Sequence, residues 1–95
     1  MKIIKFECED RYEAEKLASL VSVQKDDTVY VTGISAMVRN EVVIRLKDNS
    51  SHAVIMKDEQ SAGLLKSLLQ DVSLGKIAIQ SSDFDGPVTI INIRD

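Results

Sequence analysis

Residues 58–75 read DEQSAGLLKSLLQDVSLG, and this stretch decides the fold. Asp58 carries the kind of side-chain oxygen that caps a helix N-terminus, and Gly75 is typical of the position just after a helix ends. Between them, apolar residues recur at intervals of three and four and form one stripe: Ala62, Leu65, Leu68, Leu69 and Val72. The stretch therefore predicts an amphipathic helix whose apolar face must be covered by the rest of the chain.

A second amphipathic helix is predicted near the N-terminus. Asp10 is its candidate N-cap, and Glu13 completes a capping box by reaching back to the cap amide. Its apolar stripe consists of Ala14, Leu17, Ala18 and Val21, and the residues expected to point elsewhere are Glu13, Glu15, Lys16 and Ser19. Before it, residues 2–8 alternate between apolar and polar faces, which predicts a half-buried strand.

Further strands are predicted from alternation and from β-branched and aromatic content. They cover residues 28–32, 42–47, 52–56, 76–81 and 88–94. The turn-forming residues 48–51 predict a hairpin between 42–47 and 52–56, and residues 82–87 are expected to join the last two strands as a loop. Residues 34–40 have no clean period and are predicted to be an unusually apolar connection.

These elements predict an α+β fold with a largely antiparallel sheet of about six strands and both helices on one face. Their order, βαββ followed by βαββ, suggests a pseudo-repeat with a period of about fifty residues. In element order the chain is similar to ferredoxin-like domains and to the duplicated domains of sliding clamps. Neither similarity extends to a motif, and fold analogy alone assigns no function.

Length and composition place the chain in a broad class. Its 95 residues fit a single domain, 1–95. Cys8 is the only cysteine, so no intrachain disulfide can form, and the chain contains no run of about twenty apolar residues, which a membrane span needs. Lysine and glutamate interrupt the short apolar run at the start, so no export signal is expected. We expect a soluble cytoplasmic protein. A net charge of −3, with both signs spread along the chain, disfavours nucleic-acid binding.

No constellation for catalysis or cofactor binding is found. The single Cys8 is expected to be buried, His52 to lie at a solvated strand end, and one of each does not make a zinc site. The isolated glycines form no phosphate-binding loop, and the paired carboxylates fall at turns or helix starts, where acidic residues have a structural reason. The sequence therefore predicts a non-enzyme with no cofactor and no metal.

Two stretches are candidates for contact with a partner protein. The apolar connection contributes Ile34, Met37, Val38 and Arg39, a mixture enriched at interfaces. The competing interpretation is that this segment folds back over the core. Phe84, between two aspartates at the expected tip of the last hairpin, either inserts into a partner pocket or packs back on the hairpin.

The sheet face away from the helices is a third candidate, because several of its predicted residues are apolar. We select Tyr30, Val43 and Ile55 as a face for a homodimer. The leading hypothesis is a small non-catalytic protein-binding module: an inhibitor, an immunity-type protein or an accessory protein, including a phage-encoded one. The alternatives are a domain that senses a small ligand and an accessory protein for nucleic acid.

Overall fold

The computed structural model describes residues 2–22 and 31–94, with residues 31–37 described by their backbone. In chain order the elements are β1 (Lys2–Glu7), α1 (Arg11–Ser22), β2 (Val31–Val38), β3 (Glu41–Leu46), β4 (Ser51–Ile55), α2 (Glu59–Ser73), β5 (Ala78–Asp85) and β6 (Val88–Arg94). The predicted α+β class and the order βαββ followed by βαββ are confirmed.

The strands form two sheets, where the sequence suggested one. The first sheet has the order β1-β6-β5, the second has the order β2-β3-β4, and every pairing is antiparallel. A short bridge between Cys8 and Met56 connects them, flanked by hydrogen bonds from Glu9 N to Ile55 O (3.0 Å) and from Lys57 N to Glu7 O (3.0 Å). The bridge does not extend into a longer strand pairing because a helix begins shortly after Cys8 and another shortly after Met56.

Each helix covers one sheet. Helix α1 packs mainly on β5 and β6, and α2 packs mainly on β2. Cys8 and Met56 are a cross-strand pair and are both buried, so the buried faces of the two sheets lie on the same side. Both helices therefore cover the same side, as predicted. One cluster of buried side chains runs beneath them, and fully burying each large aliphatic residue contributes about 1.5–3 kcal/mol.

The predicted ends of α2 are confirmed. The Asp58 carboxylate accepts a hydrogen bond from Ser61 N (2.8 Å), which satisfies one of the helix's orphan amides. At the other end, Gly75 has a φ of 75° and donates to Val72 O (3.0 Å), while Lys76 donates to Asp71 O (2.9 Å). This bond pattern is a Schellman motif, and a residue with a Cβ would adopt that φ at a cost.

The N-terminus of α1 is only partly as predicted. The Asp10 carboxylate accepts from Glu13 N (2.9 Å), so Asp10 is the N-cap. The capping box and the outward orientation of Glu13 are wrong, because Glu13 is buried and its carboxylate binds Ile55 N and Lys16 instead of the cap amide.

The apolar segment predicted as a connection is a strand. Residues 34–38 belong to β2 and pair with β3, and a two-residue turn, Arg39-Asn40, leads directly into β3. The pairing register shifts between Val31 and Gly33 and again between Ile34 and Ala36. Such irregularities interrupt the alternation of side chains, which explains why the sequence showed no strand period. Residues 28–30 of the strand predicted at 28–32 lie outside the described residues.

The last hairpin is longer and tighter than predicted. Strand β5 extends to Asp85, and Gly86-Pro87 form a two-residue turn. Gly86 has a φ of 55° and proline holds φ near −65°, which is the sign combination of a type II′ hairpin turn. Residues 82–85 are therefore strand, and Phe84 pairs with Thr89 instead of lying at a loop tip.

The pseudo-repeat is visible in the structure. Cys8 and Met56 are 48 positions apart, and the same interval separates the N-caps Asp10 and Asp58. It also relates buried residues of α1 to those of α2: Ala14 to Ala62, Leu17 to Leu65 and Val21 to Leu69. The first half runs from β1 to β3 and the second from β4 to β6. The first strand of each half pairs with the hairpin of the other half: β1 pairs with β6, and β4 pairs with β3. The two halves are therefore interlocked.

Candidate functional site

The outer side of the second sheet is an apolar surface that no described helix covers. Because Val42, Ile44 and Val54 are buried under the helices, the alternate residues of these strands face outward. We call this surface the second-sheet face and define it by Val38, Glu41, Val43, Arg45, Ala53 and Ile55. Antiparallel pairing places these residues in rows across the sheet.

The most exposed apolar residue of this face is Val38. Its side chain is 65% exposed, and it lies in one row with Glu41 and Ile55. Val43 and Ala53 form the next row and are half-buried. Valine is favoured in strands even at exposed positions, but an exposed valine grouped with further apolar residues on one face is typical of a contact surface.

The structure brings together many of the residues selected from sequence. Val43 and Ile55 are diagonal neighbours on this face, and Val38 is a diagonal neighbour of Val43, separated from Ile55 by Glu41. Ile34 and Met37 lie in the same strand as Val38, and Arg39 follows it in the hairpin turn with a φ of 55°. Tyr30, the third residue of the expected homodimer face, lies outside the described residues.

Strand β2 is also an edge strand. Its backbone pairs with β3 on one side, and no strand of the described chain pairs with its other side. An exposed edge offers unpaired N–H and C=O groups to a partner strand, which is how many proteins bind extended segments. The residues predicted as a contact loop therefore belong to a sheet edge, which offers backbone hydrogen bonds as well as side chains.

Phe84 is separate from this surface. It lies in the first sheet, is half-buried and packs against the core. The Arg11 guanidinium carbon is 5.7 Å from the centre of its ring. The Phe84 ring therefore packs back against the protein and does not project into solvent, which is the second of the two orientations predicted for it.

A groove beside α1 was not singled out from the sequence. It has a volume of about 450 Å³ and is lined by Tyr12, Glu15, Lys16, Ser19, Leu20 and Leu46. Tyr12 is 70% exposed, and the Lys16 ammonium lies 5.2 Å from the centre of its ring. The sequence signal for this groove was Tyr12, an aromatic residue outside the apolar stripe of α1. It did not reveal the groove because Leu46, which also lines it, is distant in the chain.

Glu13 is the buried carboxylate of α1, and it connects α1 to β4. Its Oε1 accepts from Ile55 N (2.8 Å) at the end of β4, and its Oε2 pairs with Lys16 Nζ (2.9 Å). Buried carboxylates require such partners because an unpaired charge away from water is costly. The Glu13 side chain therefore satisfies the Ile55 N–H group at the edge of β4 that faces α1.

The two nucleophile candidates do not form a pair. Cys8 is buried, with its Sγ 3.5 Å from Thr89 Oγ1 and 3.9 Å from Met56 Sδ. Burial raises the pKa of the Cys8 thiol above its ordinary value of 9.0, opposed by the hydrogen bond with Thr89 and reinforced by the charges of Glu13 and Asp10. His52 Nε2 instead bonds Ser50 Oγ (2.9 Å). The packing role predicted for Cys8 agrees with this position.

Among the described residues, no group of histidine, cysteine, aspartate and glutamate side chains converges in a way that would hold a metal ion. Neither helix of the described chain is long and apolar enough to cross a lipid bilayer. No family model matches the chain, and no curated protein or solved structure shows significant similarity to it. Any functional assignment therefore comes from the surfaces themselves.

Proposed function

We propose that this protein is a non-catalytic protein-binding module that contacts its partner through the second-sheet face and the adjoining edge of β2. The observation that carries the proposal is the 65% exposure of Val38 diagonally next to Val43, with Ile55 at the other end of the row that Val38 begins, on a sheet face that no described helix covers. Interfaces combine apolar groups with polar ones, and Glu41 and Arg45 of the central strand supply the polar groups here. Inhibitors, immunity-type proteins and accessory proteins, phage-encoded ones included, all fall within this proposal.

The test compares two substitutions of equally exposed apolar residues. Val38→Asp places a charge where the second-sheet face meets the edge of β2, while Leu74→Asp changes a residue that is 68% exposed at the end of α2. Both positions are exposed, so both variants should fold, which circular dichroism checks. Each protein is immobilised as bait and incubated with an extract of the natural host. The captured proteins are then compared by quantitative mass spectrometry. We expect Val38→Asp to lose the specific partner and Leu74→Asp to retain it, and equal recovery by both variants would refute the proposal.

A second copy of the chain is the alternative occupant of the same face. Glu41 and Arg45 flank Val43 on the central strand. A twofold axis that passes beside Val43, in the plane between the two faces and perpendicular to β3, would therefore bring Glu41 of one copy opposite Arg45 of the other. Light scattering distinguishes the two occupants. If the wild type is a dimer that Val38→Asp dissociates, the face binds a second copy. If the wild type is a monomer that still captures a partner, the face binds a different protein.

A ligand-sensing role is the second candidate function, favoured by the groove beside α1. Its volume of about 450 Å³ falls within the range of small-molecule sites. A ligand at a hundred times its dissociation constant stabilises its protein by about 2.7 kcal/mol, which thermal unfolding detects. If this candidate is right, one compound class shifts the unfolding temperature of the wild type but not of Tyr12→Ala. The absence of any such shift across a broad metabolite set would eliminate it.

A further inference from the structure

Strand β1 has an open edge on the side opposite β6. Cys8 N donates to Pro87 O (2.8 Å) on the β6 side, whereas Glu7 O accepts from Lys57 N (3.0 Å) on the other side. Because backbone groups alternate along a strand, the N–H and C=O groups of Ile3 and Lys5, and the N–H of Glu7, also point away from β6. These groups form an unpaired ladder in the described chain.

A groove runs between this edge and α2. It has a volume of about 260 Å³ and is lined by Lys2, Ile4, Lys5, Phe6, Leu64, Ser67, Leu68, Asp71 and Ile77. The side chain of Leu64, although apolar, is 59% exposed beside it. Lys2 and Lys5 are exposed and form no ion pair with any described residue. Because side chains alternate along a strand and Phe6 is buried, Lys2 and Ile4 lie on the face of β1 towards α2, where Asp71 also lines the groove, whereas Lys5 lies on the opposite face. An open ladder, an apolar wall and a cation on the outer face of β1 therefore occur together.

The internal duplication supplies a comparison for this groove. The interval of 48 that relates Cys8 to Met56 also relates Glu7 to Ile55, Ser61 to Glu13 and Leu64 to Lys16. In one half, the edge amide of Ile55 is bound by the Glu13 carboxylate, which Lys16 neutralises. In the other half, the corresponding edge amide of Glu7 has no described acceptor, and serine and leucine replace the glutamate and the lysine.

The two grooves differ in the groups that line them. Beside α1, the Glu13 carboxylate binds the Ile55 amide, and its ion-pair partner Lys16 lines the groove of about 450 Å³. Beside α2, Leu64 stands in place of Lys16, and the Glu7 amide has no described acceptor, so an exposed apolar wall and an unbound amide donor occur there. What the second groove lacks is a hydrogen-bond acceptor for the edge and an apolar group for Leu64, with negative charge near Lys5.

We propose that this groove binds an extended acidic segment of another protein, which adds to the first sheet as a strand beside β1. Backbone groups of the segment pair with Ile3, Lys5 and Glu7, alternate apolar side chains pack on Leu64, and the acidic side chains on the opposite face lie next to Lys5. Strand addition derives its affinity from such backbone hydrogen bonds and its specificity from the alternate side chains. This site is distinct from the second-sheet face and would be a second contact.

The charges favour an acidic segment over a second copy of β1 as the occupant. Antiparallel pairing of two β1 strands places Lys5 opposite Lys5, or opposite Glu7, whose carboxylate already pairs with Lys57 (2.7 Å). Like charges on neighbouring strands are destabilising, whereas opposite charges contribute. A segment with glutamate or aspartate next to Lys5 satisfies this lysine without competing for Glu7.

The experiment uses synthetic eight-residue peptides with blocked ends, one alternating valine with glutamate and one alternating valine with lysine. Binding is measured by NMR titration of the full chain, together with amide hydrogen exchange. We expect the valine–glutamate peptide to bind and to slow exchange of the Ile3, Lys5 and Glu7 amides about tenfold or more, since these amides become hydrogen-bonded. We expect the valine–lysine peptide to bind at least about tenfold more weakly.

The discriminating variant is the double substitution Ser61→Glu with Leu64→Lys, which copies into α2 the pair already present in α1. Both residues are good helix formers at exposed or half-exposed positions, so the fold should be retained. The matched control is Leu74→Lys, which changes an exposed leucine at the end of the same helix but outside the groove. We expect the double variant to weaken binding of the valine–glutamate peptide about tenfold or more and the control to leave it unchanged.

Three results would overturn the proposal. The first is absence of binding by the valine–glutamate peptide, and the second is equal binding by the valine–lysine peptide. The third is a homodimer that the double variant dissociates, which would assign the groove to a second copy. None of these results depends on Val38, so they are distinguishable from failure of the proposed function.

Discussion

Glu13 illustrates how one residue can be misjudged from its position on a helix. Three residues after an N-cap, a glutamate ordinarily bonds the cap amide. Here the side chain is buried and binds the Ile55 amide of the opposite sheet, with Lys16 as counter-charge. A buried donor left without its acceptor costs more than a surface hydrogen bond contributes, so this contact should matter for stability.

At the residue scale, we predict that Glu13→Ala lowers the free energy of unfolding by about 1–3 kcal/mol, because the Ile55 amide loses its acceptor. Glu13→Gln should cost less, since an amide oxygen can still accept that hydrogen bond. Glu15→Ala is the matched control, because Glu15 is an exposed glutamate of the same helix. Urea unfolding measures all three, and equal costs for the two alanine variants would contradict the assignment.

The two helices are built in the same way at the element scale, each starting at an aspartate that binds an amide three residues later. In α2 this bond has a titration consequence. Hydrogen bonds from the backbone and then the side chain of Ser61 lower the pKa of the Asp58 carboxyl below its ordinary value of 3.8. The ionised carboxylate is therefore the form that stabilises the helix.

We predict that acid removes this stabilisation in a defined direction. A carboxyl whose pKa is lower in the folded state contributes above its unfolded pKa, and the contribution is lost as the pH falls through the folded pKa. The contribution of Asp58 is thus complete above about pH 4 and declines below it. Asp58→Asn keeps a capping oxygen that does not titrate, so its stability relative to wild type should rise below pH 4.

The measurement is thermal unfolding of both proteins between pH 2.5 and pH 7, on the order of one point per half pH unit. Asp58→Ala serves as the uncapped control and should be the least stable of the three at neutral pH. A constant difference between wild type and Asp58→Asn across this range would show that the cap does not titrate as proposed.

Interlocking of the two halves is the main feature of the whole molecule. Each sheet combines the first strand of one half with the hairpin of the other, and a single buried cluster runs beneath both helices. Neither half contains a complete sheet with its helix. The duplication therefore produces one cooperative structure instead of two small units in series.

We predict that the fragments 1–50 and 51–95 are each unfolded when produced separately. Each is too short to bury a sufficient core, and each lacks a strand of both sheets. Mixed in equal amounts, they should recover the circular dichroism spectrum of the intact chain, because β1 can pair with β6 and β4 with β3. A cooperative thermal transition in either fragment alone would contradict the prediction.

The sequence alone determined the local elements of this protein. Caps at Asp10 and Asp58, the glycine after α2 and the apolar stripes are short-range signals, so both helices and several strands could be predicted within a few residues. The order of elements also followed, and with it the pseudo-repeat. These features depend on neighbours within about four positions in the chain, which a sequence displays directly.

Tertiary structure decided which surfaces exist. The division into two sheets, the edge position of β2 and the inward packing of Phe84 depend on partners distant in the chain. The open edge beside α2 depends on how β1 pairs in the folded sheet, and the interval of 48 residues places Ser61 and Leu64 there where the first half has Glu13 and Lys16. Such contacts carry no local signal, because the free energy that selects them comes from burial and pairing across the whole molecule.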